Sequence, residues 1–131
     1  MACNWSKVWM DSCRACAKAC HDAIAAGKKH SASPNDTATT KEWIERNRAC
    51  IEACKQCIEK NDQHAQSCDD KACELGCNLA VGVCKACINA AEHCLIQCSK
   101  ESGECKAACT QCIEACKTCI DACNNAIGNN A

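Results

Sequence analysis

Phenylalanine and tyrosine are absent from this 131-residue chain, and three tryptophans are its only aromatics. The large rings that usually supply much of a core's transfer energy are therefore missing. An excess of charge of either sign is missing too: 15 Lys and Arg stand interspersed among 16 Asp and Glu, for a net charge of −1. No basic surface points to nucleic acid or an anionic membrane as a partner. Proline occurs once, at Pro34, and the longest apolar run, Leu79 to Cys84, is interrupted by Gly82. Nothing approaches the roughly 20 apolar residues that span a bilayer. The opening Met1-Ala2-Cys3-Asn4-Trp5 lacks the charged start and apolar stretch of a secretory signal. The expectation is a cytoplasmic protein of one domain, with its thiols reduced.

What the chain has instead is cysteine: 20 of 131 residues, about 15%, well beyond the share that marks a cysteine scaffold. Of the nineteen gaps between successive cysteines, twelve are 3 or 4 and three are 7. That is the rhythm of one helix face and not of a strand. Four stripes result. The first runs Trp9, Cys13, Cys16, Cys20 and Ala23, with Cys3 to one side. The second runs Trp43, Asn47, Cys50, Cys54, Cys57, Asn61, His64 and Cys68. The third runs Cys73, Cys77, Ala80, Cys84, Cys87, Ala91, Cys94 and Cys98. The last reads Cys105, Cys109, Cys112, Cys116, Cys119 and Cys123 on the a and d positions of a heptad, flanked by Ile113 and Ile120 and by Ala108 and Ala115. Stripes this broad suit a globular bundle better than a two-stranded coil.

Breakers and caps divide the stripes into predicted helices over 4–26, 40–64, 69–99 and 103–126. Residues 27–40, with Gly27 and the only proline, read as a loop. Thr39 with Glu42 reads as a capping box for the second helix, and Ser67 with Asp70 as a weaker cap for the third. Ser102-Gly103 turns the chain into the fourth helix and Gly128 ends it. Short connections favour antiparallel neighbours. The predicted fold is all-α: an antiparallel up-down four-helix bundle with a cysteine-lined core.

Residues three and four apart on a helix share a face, so a CxxxC or CxxC pair aims two sulfurs at one ion. Seven CxxxC pairs, Cys16/Cys20 and Cys119/Cys123 among them, overlap with five CxxC pairs into ladders. Soft thiolates select soft ions, and Cu(I) takes two or three sulfurs and tolerates thiolate bridges. With each thiolate shared between two ions, capacity is on the order of 15–20 ions per chain. The predicted ligands are the nineteen cysteines of the four stripes, Cys13 to Cys123, with His64 on the second. These paired motifs on four stripes resemble the copper storage proteins, four-helix bundles with cysteine-lined cores. The resemblance covers essentially all the helical regions. It implies binding and storage of many Cu(I) ions and assembly into a homo-tetramer through outer helix faces; the residues give no expectation of enzymatic activity. A paucity of histidine and methionine departs from the gated mouth the family suggests.

Two other readings stay open: zinc or mixed-metal sequestration in closed four-thiolate sites, and a disulfide-stapled helical scaffold. No cysteine is singled out by position as a redox nucleophile. His21 and His93 fall beside their stripes and read as exposed, while His30 falls in the predicted loop. Trp9 and Trp43 read as plugs at the ends of the core, and Asn47 and Asn61 either as donors to sulfur or as polar residues at fraying bundle ends. Metal is expected to enter at the His64 end, because Trp43 is bulky enough to close the other.

Overall fold

The computed structural model describes residues 7–99 and 105–128. They form four helices, α1 (Lys7–Ala32), α2 (Thr37–Ser67), α3 (Lys71–Ser99) and α4 (Cys105–Gly128). Cys3 and the Ser102-Gly103 turn lie outside the described residues. Each helix packs on two others, α1 and α3 both against α2 and α4. Sulfur contacts set the directions: Cys13, Cys16 and Cys20 of α1 meet Cys57, Cys54 and Cys50 of α2. Cys84, Cys87 and Cys94 of α3 likewise meet Cys119, Cys116 and Cys109 of α4. Numbering rises on one helix as it falls on the next, so this is the antiparallel up-down bundle expected.

The stripes are the core. Cysteine and alanine fill its middle, and the largest fully buried side chains are Trp9, Trp43, Asn47 and Asn61. The opposite faces carry Lys, Glu, Asp and Arg in short-range pairs such as Lys18 with Asp22 at 3.2 Å. α3 is the exception. It exposes Leu75, Leu79 and Ile96, and among the described residues it is the helix long and apolar enough to cross a membrane by length and composition. A third of that stretch is buried in the core.

The first connection is shorter than expected, because both of its ends are corrected. α1 does not break at Gly27 but continues to Ala32. A β-carbon at Gly27 would stand 2.8 Å from the Trp43 ring and 3.0 Å from Ile113 Cδ1. The glycine gives a bulky neighbour room and does not end the helix. α2 begins at Thr37, not 40, because Asp36 is the N-cap: its side chain accepts from Ala38 N at 2.9 Å and Thr39 N at 3.2 Å. The Thr39 hydroxyl instead donates to the Ser33 and Asp36 carbonyls. α3 begins at Lys71, not 69, with Asp70 before it accepting from Ala72 N at 2.9 Å; Ser67 instead closes α2, its hydroxyl donating to the His64 carbonyl at 3.2 Å, so the expected Ser67–Asp70 cap does not form.

Candidate metal centre

Four antiparallel helices with cysteines three and four apart bring one sulfur from each helix to the same height, twice. Cys16, Cys54, Cys84 and Cys119 make one layer: Cys16 Sγ lies 3.6 Å from Cys54, 3.9 Å from Cys84 and 3.5 Å from Cys119, and Cys84 lies 3.6 Å from Cys119. Cys20, Cys50, Cys87 and Cys116 make the next: Cys50 Sγ lies 3.5 Å from Cys20, 3.7 Å from Cys87 and 3.9 Å from Cys116. All eight are buried. Sets of metal-ligating atoms also cross between the layers. Cys16, Cys20, Cys54 and Cys119 are one set, Cys16, Cys84, Cys119 and Cys123 a second, and Cys20, Cys50, Cys54 and Cys87 a third. The sulfurs form a continuous column whose members belong to more than one possible site.

Each end of the column carries a tryptophan, an asparagine and a histidine. At one end Asn61 Nδ2 donates to Cys57 Sγ at 3.2 Å and to the Cys57 carbonyl at 2.7 Å, while its Oδ1 accepts from Trp9 Nε1 at 2.8 Å. Trp9 stacks on His64 with ring centroids 5.4 Å apart. His64 Nε2 lies 3.2 Å from Cys73 Sγ, so the predicted histidine does meet sulfur. Cys13, Cys57 and Cys123 form a three-sulfur set at this end.

At the other end Trp43 Nε1 donates to Cys109 Sγ at 3.1 Å, and Cys112 donates to Asn47 Oδ1 at 3.2 Å. Asn47 Nδ2 is buried without a hydrogen-bond partner. Here the structure adds a residue the sequence reading misses. With α1 prolonged to Ala32, His30 is helical, 6% exposed, and grouped with Cys98, Cys105 and Cys109. Its signal was present only as spacing: His30 lies two turns beyond Ala23 on the buried face once Gly27 is read as helical. Both ends hold a buried tryptophan, so ring bulk does not mark out one end as closed. An open cavity of about 880 Å3 adjoins His30, Cys98 and Cys105.

Sixteen cysteines of the described residues are free thiols. Cys98 and Cys105 are joined in a disulfide across the α3–α4 connection, and Cys68 is disulfide-bonded as well. The predicted ligands Cys68, Cys98 and Cys105 would serve only after reduction. Among the described residues the column sulfurs touch without bonding. His21 and His93 are exposed, as expected.

Contact between thiols splits their acidities. Cys94 is held down at about 4 by the hydrogen bond from Cys109, 3.2 Å away, and Cys109 is pushed up by the same contact. Hydrogen bonds from Cys116 and Cys20 hold Cys50 down. Burial pushes Cys77 up to about 12, raises Cys73, and keeps His64 below its ordinary value, favouring the neutral imidazole a metal needs. Arrays in which some thiolates are ready and the rest are released on metal binding are what soft cations use. No family model, curated protein or solved structure matches the chain.

Proposed function

We propose that this protein binds and stores many Cu(I) ions in its sulfur column, as a copper store in a reducing, cytoplasmic setting and without catalytic turnover. One observation carries the reading: the metal-ligating sets overlap, with Cys16, Cys20, Cys54 and Cys119 each belonging to two. A sulfur shared between two sites bridges their ions when both are filled. Bridging thiolates at low coordination number suit Cu(I), and in a dry column they cancel the charge of the ions they hold. The family resemblance extends the proposal to a homo-tetramer, and the exposed Leu75, Leu79 and Ile96 on α3 support an outer contact face.

A specific observation also favours the zinc reading. The two layers share no residue, and neighbouring sulfurs within each lie 3.5–3.9 Å apart. A tetrahedral ion with metal–sulfur bonds of 2.3 Å spans edges of about 3.8 Å. Titrating fully reduced protein with Cu(I) against a coloured chelator separates the two. Storage predicts on the order of 15–20 tight equivalents, near one per thiolate. Closed zinc sites predict about five to seven Zn2+ ions and a Cu(I) capacity that stops at a similar count, which would overturn the storage reading.

A further inference from the structure

The His30 end differs in chemistry from the column. Its four ligand atoms, one imidazole nitrogen and the sulfurs of Cys98, Cys105 and Cys109, lie within 4.8 Å of one another and belong to none of the column sets described above. Cys109 Sγ is 3.5 Å from Cys98 and 3.9 Å from Cys105, and His30 Nε2 is 3.9 Å from Cys105. The imidazole is oriented. Its Nδ1 lies 3.2 Å from Thr40 Oγ1, and that hydroxyl donates its only proton to the Asp36 carbonyl at 2.9 Å. With that donation made, Thr40 accepts from Nδ1–H, and in this tautomer Nε2 presents a bare lone pair to the sulfurs. Fixing one ring nitrogen to free the other is how proteins prepare a metal-binding histidine. The ring is buried, yet the adjoining cavity, which Lys41, Glu45 and Arg48 also line, opens a path from solvent.

We propose that His30, Cys98, Cys105 and Cys109 form a separate site for a borderline divalent cation of the zinc class, assembled only when the Cys98–Cys105 disulfide is reduced. One imidazole and three thiolates are a tetrahedral zinc donor set, whereas the column offers sulfur alone. The disulfide makes the site conditional, because its two sulfurs cannot be thiolates while bonded to each other. Two external thiols of the glutathione class break the S–S bond. They supply two electrons and two protons, leave as their own disulfide, and yield the Cys98 and Cys105 thiols. The arriving Zn2+ displaces three protons to solvent, one from each cysteine, and none from His30. The inference goes beyond copper storage and does not depend on it.

The test is nitrogen NMR of the full chain labelled at histidine, with Zn2+ alone as the probe, before and after reduction. One histidine Nε2 resonance is expected to move and to saturate at about one equivalent in reduced protein. It should stay still in unreduced protein and be missing from the spectrum of His30→Gln. Circular dichroism verifies that this variant is folded, since glutamine retains a polar group beside Thr40. Thr40→Val, which removes only the orienting hydroxyl, should weaken the step by about 10–100-fold. The proposal is overturned if no histidine resonance moves, if it moves equally without reduction, or if the moving resonance persists in His30→Gln. The same protein titrated with Cu(I) keeps the two ideas apart, because a moving His30 without copper capacity removes only the store.

Discussion

Gly27→Ala tests the claim that this glycine makes room and does not break the helix. The substitution is helical either way, and in an open helix interior it stabilises by about 1 kcal/mol. At Gly27 the new methyl would sit 2.8 Å from two atoms of the Trp43 ring and 3.0 Å from Ile113 Cδ1. Carbon atoms rest at about 3.5–4.0 Å, so the ring must retreat by roughly 1 Å. Trp43 is 1% exposed and its N–H is engaged with Cys109 at 3.1 Å, so retreat strains packing and the N–H···S contact together. Overpacking of this kind costs about 1–3 kcal/mol. Gly82→Ala is the control, since its β-carbon meets nothing within 4 Å on α3. The propensity gain is common to both, and the difference between the variants isolates the clash at about 1–3 kcal/mol. For a chain of this length that separates their Tm values by roughly 3–15 °C. The assay is thermal unfolding of the reduced apo protein followed by circular dichroism, with indole emission reporting on Trp43. Equal stabilisation of both variants would refute the packing argument and return Gly27 to the role of an ordinary helix residue.

Asp36→Ala removes the α2 cap and should lower stability by about 0.5–2 kcal/mol in urea unfolding, whereas Thr39→Ala should lower it less; the reverse order would restore Thr39 as the cap. Asn61→Ala strips the partner from the buried Trp9 N–H and should cost about 1–3 kcal/mol, more than Asn47→Ala, whose Nδ2 is already without a partner. Burial holds His64 below its ordinary value of 6.5. The unfolded chain therefore takes up its proton first, and the stability His64 contributes is fully present above pH 6.5 and declines as pH falls towards the folded value. Urea midpoints measured from neutral to mildly acid pH should show this slope, and His64→Gln should flatten it.

The bundle and its core were legible because a small residue set repeated every three or four positions admits one helical face. Cys13 to Cys123 therefore fall where the stripes put them. What was not legible depends on partners distant in sequence. Gly27 reads the same whether it ends a helix or admits a ring, and Trp43 decides between these only from the neighbouring helix. His30 followed that error into the predicted loop. Asp36 and Thr39 are both good caps by type, and the start of α2 set by the short turn after Pro34 selects the first. The layers are likewise a tertiary fact: CxxxC spacing gives pairs along one helix, but the axial stagger of four helices puts Cys16 level with Cys54, Cys84 and Cys119. Cys98 and Cys105, seven apart, look like two more rungs until the α3–α4 connection folds them together.

Whether the column is chemistry or only packing turns on two cysteines that packing treats alike. Cys119 and Cys87 are both fully buried and each touches sulfurs of other helices. Alanine in place of either removes one sulfur and leaves a small void, which costs about 1 kcal/mol of apo stability by transfer and cavity terms. If cysteine were there only as a small hydrophobe, the two variants would differ in nothing else. The ligand sets are not equivalent, however. Cys119 belongs to two of those described above and Cys87 to one. Bridging storage therefore predicts that Cys119→Ala loses more Cu(I) equivalents than Cys87→Ala at matched apo stability. Separate four-sulfur layers predict equal losses, because each variant then disables one layer. Packing alone predicts no loss in either. A Cu(I) capacity reduced equally by both substitutions would reject bridging while leaving metal binding in place, and an unchanged capacity would reduce the column to an unusual hydrophobic core.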